Sequence, residues 1–328
     1  MHKLVISLLL LCVAGLRGQS DALVGAGSTF AAPLYDKWIA SFSAQKAGLP
    51  MRFEAVGSGF GLSRLEKSEV DFAASDFLPD SAFRQRVSLT ILPTVVGGVV
   101  PAYNVPGLRG ELRFTANVLA AIYLGAITRW DDPQIKAINR NVKLPPAAIV
   151  PVHRSDVSGS TLVWTEFLSI HDQWRNRLGA HSSMEWPAGK SAERNEGVAE
   201  LVEQTPYSIG YVELIYAVHR HLSFGAVQNA AGQFIRADID SLSAAAGTLS
   251  AMPQSLVNCP GRNVYPIASL TWLLIPTTMD AAKRRRMTDF LDWTLSSGQH
   301  EAAALGYIAL PDRVAQDARA ALHELWAK

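Results

Sequence analysis

The sequence predicts an α/β fold with parallel strands, because strand-like and helix-like stretches alternate along the chain. Its 328 residues are enough for about two domains at roughly 150 residues each. Hydrophobic residues make up 48% and charged residues 18%, which excludes a disordered or collagen-like chain. In parallel sheets ligands bind beyond the carboxyl ends of the strands, so the loops at those ends are the first candidates for a site.

The first 20 residues have the pattern of a secretory signal peptide. Lys3 is followed by an apolar run over 4–16, and 18–20 (GQS) places small residues at a cleavage site before Asp21. The run is shorter than the roughly 20 residues that a spanning helix needs. We therefore expect a soluble, exported protein in the periplasm. Cleavage removes Cys12, so Cys259 remains alone and we expect no internal disulfide.

The first part of the chain has a β-α-β-α-β rhythm. Strands are predicted at 22–24, 51–56 and 70–76, and helices at 33–42 and from Leu62 onward. A glycine-rich stretch follows each of the first two strands, at 25–27 and 57–61. This order favours parallel strands with their ligand loops at one edge.

The rest of the chain continues the alternation. Two apolar segments, 95–103 and 265–275, are predicted to be strands that cross between domains. The other predicted strands are 149–153 and 207–216, and the predicted helices are 114–122, 161–170 and an amphipathic helix over 280–296.

Three loops repeat one arrangement, in which a strand ends, a Gly/Ser/Thr loop follows and a helix begins. They lie at 25–29, 57–61 and 158–161. Such loops present backbone N–H groups, hydroxyls and the positive end of a helix dipole, which together suit a small anion. Each loop alone is also an ordinary helix cap, since Ser and Thr cap well. The presence of Arg154 and Asp76 beside them favours a site.

Composition and motifs argue against several function classes. The net charge of +1 gives no overall field to attract nucleic acid, so a charged ligand must be recognised locally. We find no nucleophile with a base and no cluster of metal ligands, so we expect no cofactor and no enzymatic activity.

Four segments together resemble the periplasmic phosphate-binding proteins of bacterial high-affinity phosphate ABC transporters: 25–30 (GAGSTF), 57–59 (GSG), 70–76 (VDFAASD) and 154–160 (RSDVSGS). The stretches 93–100, 123–125, 130–132 and 209–213 are similar to that family as well, and the resemblance runs from about residue 23 to 325.

The resemblance implies a two-lobed periplasmic-binding-protein (venus-flytrap, type II) fold, with two crossover strands as the hinge. Residues 21–100 with 265–328 would form lobe I, and 101–264 would form lobe II. It implies capture of inorganic phosphate and delivery to the permease subunits of an ABC transporter, which have a cytoplasmic ATPase behind them. We expect a monomer.

The resemblance also implies the ligand-binding residues. The hydroxyl and amide donors would be Thr29, Phe30 (through its backbone N–H), Ser58, Ser158, Gly159 and Ser160. Arg154 would make a forked contact with phosphate oxygens, oriented by Asp156, because a guanidinium matches two such oxygens. Asp76 would face the ligand as an acceptor, so a bound anion must carry a proton, as phosphate does and sulfate does not.

The chain departs from the usual family pattern at the loops. Gly59-Phe60 stands where a Ser-Gly pair is common, and Val157 replaces a usual Gly. Ser160 stands where Thr is usual, which keeps the hydroxyl, and Ala31 stands where Pro is usual.

Three alternatives remain open from the residues. The same fold could bind another tetrahedral oxyanion, such as arsenate, which is nearly isosteric with phosphate and also carries a proton. An exported phosphatase-like hydrolase would show turnover on a chromogenic ester. A surface or adhesion protein would bind phosphate weakly and a protein partner tightly.

Overall fold

The computed structural model describes residues 22–46, 50–249 and 255–326. The predicted signal peptide over 1–20, with Cys12, lies outside these residues. In the part of the chain that is described, no helix combines the length and the apolar character needed to cross a membrane.

The first part of the chain forms the β-α-β-α-β unit that its sequence predicts. Its elements are β1 (Leu23–Gly27), α1 (Ala32–Gln45), β2 (Met51–Ala55), α2 (Ser58–Glu66), β3 (Phe72–Ser75) and α3 (Ser81–Arg86). β1 lies between β2 and β3 and is parallel to both. The helix α1 buries Leu34, Trp38 and Phe42, which recur at helical spacing and anchor it on the sheet.

In its described residues, the middle of the chain contains eight strands and seven helices. The strands are β4 (Leu89–Asn104), β5 (Arg113–Phe114), β6 (Val150–Arg154), β7 (Lys190–Ala192), β8 (Ser208–Glu213), β9 (Ser223–Phe224), β10 (Ala226–Gln228) and β11 (Phe234–Ile235). The helices are α4 (Ala116–Tyr123), α5 (Pro133–Ile138), α6 (Gly159–Leu168), α7 (Asp172–Arg177), α8 (Arg194–Gln204), α9 (Leu214–His219) and α10 (Ile239–Ala246).

The chain then returns to the first sheet. Strand β12 (Ala268–Pro276) is followed by α11 (Ala281–Thr294), two 3-10 turns (Ser297–Glu301 and Ala303–Leu305) and α12 (Asp312–Trp326). β12 inserts between β3 and β4 and is antiparallel to both.

The long strand β4 belongs to two half-sheets. Through Gly98 it pairs with β12, which places it in the first half-sheet with β2, β1 and β3. From Val99 onward it pairs with β8, which continues through β6 to β7 in the second half-sheet. The strand order across both is β2-β1-β3-β12-β4-β8-β6-β7, and β9 pairs with β4 off this path. A separate three-stranded sheet has the order β11-β10-β5.

Several expected elements differ in extent from the structure. The helix predicted from Leu62 begins at Ser58, and the strand predicted over 95–103 begins at Leu89. The strand predicted over 207–216 ends at Glu213, and α9 begins at Leu214. The Glu213 side chain accepts a hydrogen bond from the backbone N–H of Ile215 at 2.8 Å, so it caps the new helix inside an apolar run. The helix predicted from Phe114 begins at Ala116, after the short strand β5, with Thr115 as its cap.

Candidate functional site

The candidate site lies where the carboxyl ends of strands from the two half-sheets meet. The loops after β1, β2 and β3 approach from the first half-sheet, and the loop after β6 approaches from the second. The predicted loops at 57–61 and 158–161 are mostly the first turns of helices, because α2 begins at Ser58 and α6 begins at Gly159. The stretch predicted as a loop at 25–29 belongs to β1 as far as Gly27, and a loop over 28–31 then leads into α1. The eight residues singled out in the sequence are buried, and they are Thr29, Phe30, Ser58, Asp76, Arg154, Ser158, Gly159 and Ser160.

Asp76 is the most heavily hydrogen-bonded side chain of the site. Its carboxylate accepts hydrogen bonds from the hydroxyls of Ser28 at 2.7 Å, Thr271 at 2.7 Å and Ser58 at 3.3 Å. Burial raises the pKa of Asp76 to about 6, although these hydrogen bonds and the positive charge of Arg154 oppose that rise. Asp76 therefore exchanges its proton close to neutral pH.

Arg154 supplies the positive charge of the site, and its side chain is 1% exposed. Its Nε donates to Oδ1 of Asp156 at 2.7 Å, and Nη2 donates to Oδ2 of the same carboxylate. This forked pair fixes the guanidinium plane. Burial acts to raise the pKa of Asp156, but the hydrogen bonds and charge of Arg154 outweigh it and hold that pKa below its ordinary value.

The start of α2 brings the first half-sheet against Asp156. Gly57, the residue before this helix, has a φ of +93°, a conformation that favours glycine. A Cβ at Gly57 would lie 2.7 Å from Oδ2 of Asp156, so a side chain there would collide with the carboxylate. Ser58, the first residue of α2, thereby lies next to the Arg154–Asp156 pair.

The start of α6 closes on the same point from the second half-sheet. Ser158 caps the helix, because its hydroxyl accepts the backbone N–H of Thr161 at 3.3 Å. A Cβ at Gly159 would lie 2.3 Å from Cβ of Asp76, so the helix end touches the Asp76 side chain without space between them. The positive end of this helix therefore faces the carboxylate.

Thr29 and Phe30 make hydrogen bonds that differ from those that the resemblance implies. The Thr29 hydroxyl accepts a hydrogen bond from Nδ2 of Asn195 at 3.0 Å, across the boundary between the half-sheets. The Phe30 backbone N–H donates to the hydroxyl of Ser28 at 3.0 Å. The Thr29 hydroxyl still has its own hydrogen to donate to a ligand, whereas the Phe30 N–H would have to leave Ser28 to contact one.

Further contacts hold the two halves together at this point. The hydroxyl of Tyr216 donates to the Thr29 carbonyl at 2.7 Å. Asn195 also donates to the hydroxyl of Ser160 at 3.3 Å, and its Oδ1 accepts the backbone N–H of Glu213 at 3.0 Å. Asn195 is thus a bridge between three segments of the site.

Sequence reasoning missed three of these side chains. Ser28 and Thr271 hydrogen-bond Asp76, and Asn195 joins Thr29 to Ser160. A signal existed for Thr271, since it and Ser269 are the two hydroxyl residues inside the otherwise apolar strand β12. Asn195 gave none, because it is one polar residue among many in α8.

The arrangement can hold a small anion that still carries a proton. It offers hydroxyl and amide donors, one guanidinium and one acceptor carboxylate, all of them buried. In the described part of the chain, no group of three or more His, Cys, Asp or Glu residues is placed to hold a metal ion. Cys259 is buried and free, and its thiol lies 3.6 Å from the carbonyl of Ser255.

The chain is similar to known proteins over most of its length. A model of the PBP superfamily domain matches residues 13–297. The phosphate-binding protein PstS of Xylella fastidiosa (strain Temecula1) is 37% identical over 310 residues, which are 92% of this chain and 85% of that protein. The protein of the same name from Pasteurella multocida is 36% identical over 310 residues, which are 92% of this chain and 90% of that protein.

A solved structure shares the fold. The high-affinity periplasmic phosphate-binding protein PfluDING, bound with phosphate, matches with a TM-score of 0.75 at 19% identity, over 91% of this chain and 93% of that one. The predicted α/β class and two-lobed binding-protein fold are thereby confirmed. The chain belongs to the PstS family of phosphate-binding proteins, as the resemblance of its loops predicted.

Proposed function

We propose that the protein binds inorganic phosphate between its two lobes and delivers it to the membrane permease of an ABC transporter. The observation that carries this proposal is the meeting of Arg154 and Asp76 at one buried point, surrounded by hydroxyl and amide donors from both half-sheets. A fixed positive charge attracts the anion, and an acceptor carboxylate selects an anion with a proton to donate.

Eight residues would contact the ligand directly: Thr29, Phe30, Ser58, Asp76, Arg154, Ser158, Gly159 and Ser160. Asp156 would hold Arg154 in the orientation that presents its remaining N–H groups. Each hydrogen bond to the charged ligand can contribute about 1.5–3 kcal/mol, so a handful offsets the cost of ordering the lobes. A phosphate oxygen would replace the Ser28 hydroxyl as the acceptor of the Phe30 N–H, and the Thr29 hydroxyl would donate to phosphate while it accepts from Asn195.

Asp76 gives the site its discrimination. A carboxylate next to an anion repels it unless a proton lies between them, because burial strengthens the repulsion. Phosphate carries such a proton near neutral pH and sulfate does not. The Asp76 carboxylate would accept it, while the hydroxyls of Ser28 and Thr271 remain as its own donors.

We assign lobe I to residues 21–100 with 265–328 and lobe II to 101–264. The change of partner along β4, from β12 up to Gly98 to β8 from Val99, supports a hinge at this boundary. Closure about this hinge would bring the Asp76 side and the Arg154 side of the site together around one anion.

We place the protein in the periplasm, exported by a signal peptide over 1–20. It acts as a monomer in front of the permease and its cytoplasmic ATPase. Its relatives are named as binding proteins, which supports binding and not turnover as its role.

Calorimetric titration of the mature protein, freed of ligand by mild unfolding and refolding, tests this function. We expect one phosphate per chain with micromolar or tighter affinity, arsenate as a competitor, and no heat with sulfate. Asp76→Asn should raise sulfate affinity relative to phosphate by about tenfold, since an amide can donate to an anion without a proton.

Asp80→Asn is the matched control for that substitution. Asp80 caps α3 through the backbone N–H of Phe83, and Asn caps equally well, so the affinity ratio should not change. Absence of phosphate binding by the unaltered protein would overturn the proposed function. An unchanged sulfate-to-phosphate ratio in Asp76→Asn would overturn only the role given to Asp76.

A further inference from the structure

One backbone hydrogen bond joins the two lobes at the rim of the site. The N–H of Gly59, in the first turn of α2, donates to the carbonyl of Val157 at 3.1 Å. Val157 precedes Ser158, the cap of α6. This hydrogen bond therefore joins the starts of α2 and α6 directly. Gly59 is next in sequence to Ser58, and Val157 is next to Ser158, and both serines are proposed to bind the ligand.

The Val157 side chain occupies the place that a side chain at Gly59 would need. A Cβ at Gly59 would lie 2.3 Å from Cβ of Val157 and 2.6 Å from its Cγ1. Both of these atoms are near the backbone and cannot swing aside as the end of a long side chain would. The approach that allows the Gly59–Val157 hydrogen bond thus requires the absence of a side chain at Gly59.

The contact lies at the rim of the site. Val157 is 41% exposed, so its side chain is not among the buried groups that are proposed to bind the ligand.

We infer that Gly59 and Val157 are a matched pair of positioning residues, which determine how readily the cleft closes on its ligand. The inference rests on the proposed function, because closure is measured through phosphate. Neither residue belongs to the set that is proposed to contact the anion. Their effect comes through the fraction of molecules that can reach the closed arrangement, since the apparent affinity falls in proportion to that fraction.

A double-mutant cycle in the full mature protein tests the pair. Gly59→Ala should weaken phosphate binding by about tenfold or more, because the new methyl overlaps Val157 in the closed cleft. Val157→Gly should weaken it only a few-fold, through lost apolar contact. Gly59→Ala with Val157→Gly should bind within about threefold of Val157→Gly alone, because the overlap is removed.

Thermal unfolding without phosphate separates this role from a general loss of structure. Ala is a better helix former than Gly, so Gly59→Ala should unfold at the same or a higher temperature while it binds more weakly. Gly197→Ala is the control. It adds a methyl to α8 that meets only Cβ of Ala192, at 3.5 Å, and phosphate affinity should not change.

Each outcome of the cycle decides the inference. Normal binding by Gly59→Ala would overturn it, as would a double variant that stays as weak as Gly59→Ala. If the unaltered protein does not bind phosphate, the proposed function fails and the inference fails with it. A protein that binds normally but shows no coupling between the two positions overturns the inference alone.

Discussion

Glu213 is a buried carboxyl group that the proposed ligand set does not use. It lies at the end of β8, opposite Val99 in β4, where the two half-sheets join. Its Oε2 accepts the backbone N–H of Ile215, and in the described part of the chain its Oε1 has no hydrogen-bond partner. Burial raises the pKa of Glu213 well above its ordinary value, so its carboxyl group holds its proton to a higher pH in the fold than in the unfolded chain.

This residue should make the folded state less stable as the pH rises. The unfolded chain loses the Glu213 proton above about pH 4.3, whereas the folded chain loses it at a higher pH, so between these two pKa values each pH unit costs up to about 1.4 kcal/mol. Glu213→Gln keeps the neutral shape and removes the titration. We therefore expect the free energy of unfolding of Glu213→Gln to exceed that of the unaltered protein by a margin that grows between pH 5 and pH 8.

Urea unfolding of the ligand-free protein at the two pH values measures this. Glu185→Gln, at an exposed position, is the control and should follow the unaltered protein at both. Parallel pH profiles for Glu213→Gln and the unaltered protein would show that Glu213 ionises in the fold as it does in the unfolded chain.

Single site residues could be predicted from the sequence where a residue type that suits an anion also lies in a recognisable local pattern. Ser58 and Ser158 follow glycine-rich or polar loops at strand ends, so the loop pattern pointed to them. Asn195 reaches Thr29 across 166 positions of sequence. No local pattern encodes such a contact, because it depends on how the two halves pack.

Among the elements, α6 illustrates how one serine serves both the fold and the proposed ligand. Ser158 caps this helix, and the start of the helix faces Asp76. Ser158→Ala should lower the free energy of unfolding by about 1 kcal/mol through the lost cap. It should also weaken phosphate binding by about tenfold, because one donor is lost.

Thr115 offers a matched control for that substitution. Its hydroxyl caps α4 by accepting the backbone N–H of Val118 at 3.1 Å, away from the site. Thr115→Ala should destabilise the protein to a similar degree and leave phosphate affinity unchanged. Urea unfolding and calorimetry on both variants make the comparison, and an equal loss of affinity in both would assign the effect to stability.

The elements themselves were largely predictable from periodicity. The β-α-β-α-β start follows its apolar spacing, because each strand and helix there has one clear repeat. The boundary between β8 and α9 was not found, since the apolar run continues from Tyr211 through Ile215 without a change in composition. The strand ends where Glu213 caps the next helix. One acidic residue inside an apolar run does not change the hydrophobic periodicity, so the periodicity does not reveal this boundary.

For the whole molecule, closure should be visible as a change in size. Thr29 contacts Asn195 and Tyr216, and Gly59 contacts Val157, across the boundary between the half-sheets, so an opening of the cleft would break these contacts. We expect small-angle X-ray scattering to give a smaller radius of gyration with saturating phosphate than without it. Sulfate at the same concentration should leave the radius unchanged, and an equal radius in all three samples would contradict a hinged closure.

The two-domain size and the crossing segments were predictable, but the place of β12 in the sheet was not. Strand pairing between residues nearly 200 positions apart, such as Thr271 with Val95, leaves no mark in local periodicity. The family resemblance supplied the two-lobed arrangement that composition and spacing alone could not.

The central position of β12 has a consequence for how the chain is made. A ribosome produces 267 residues before it reaches the strand that fills the gap between β3 and β4. Until then lobe I has two open strand edges, and Asp76 lacks the hydroxyl of Thr271. We expect the nascent chain to stay incompletely folded until its last fifth emerges.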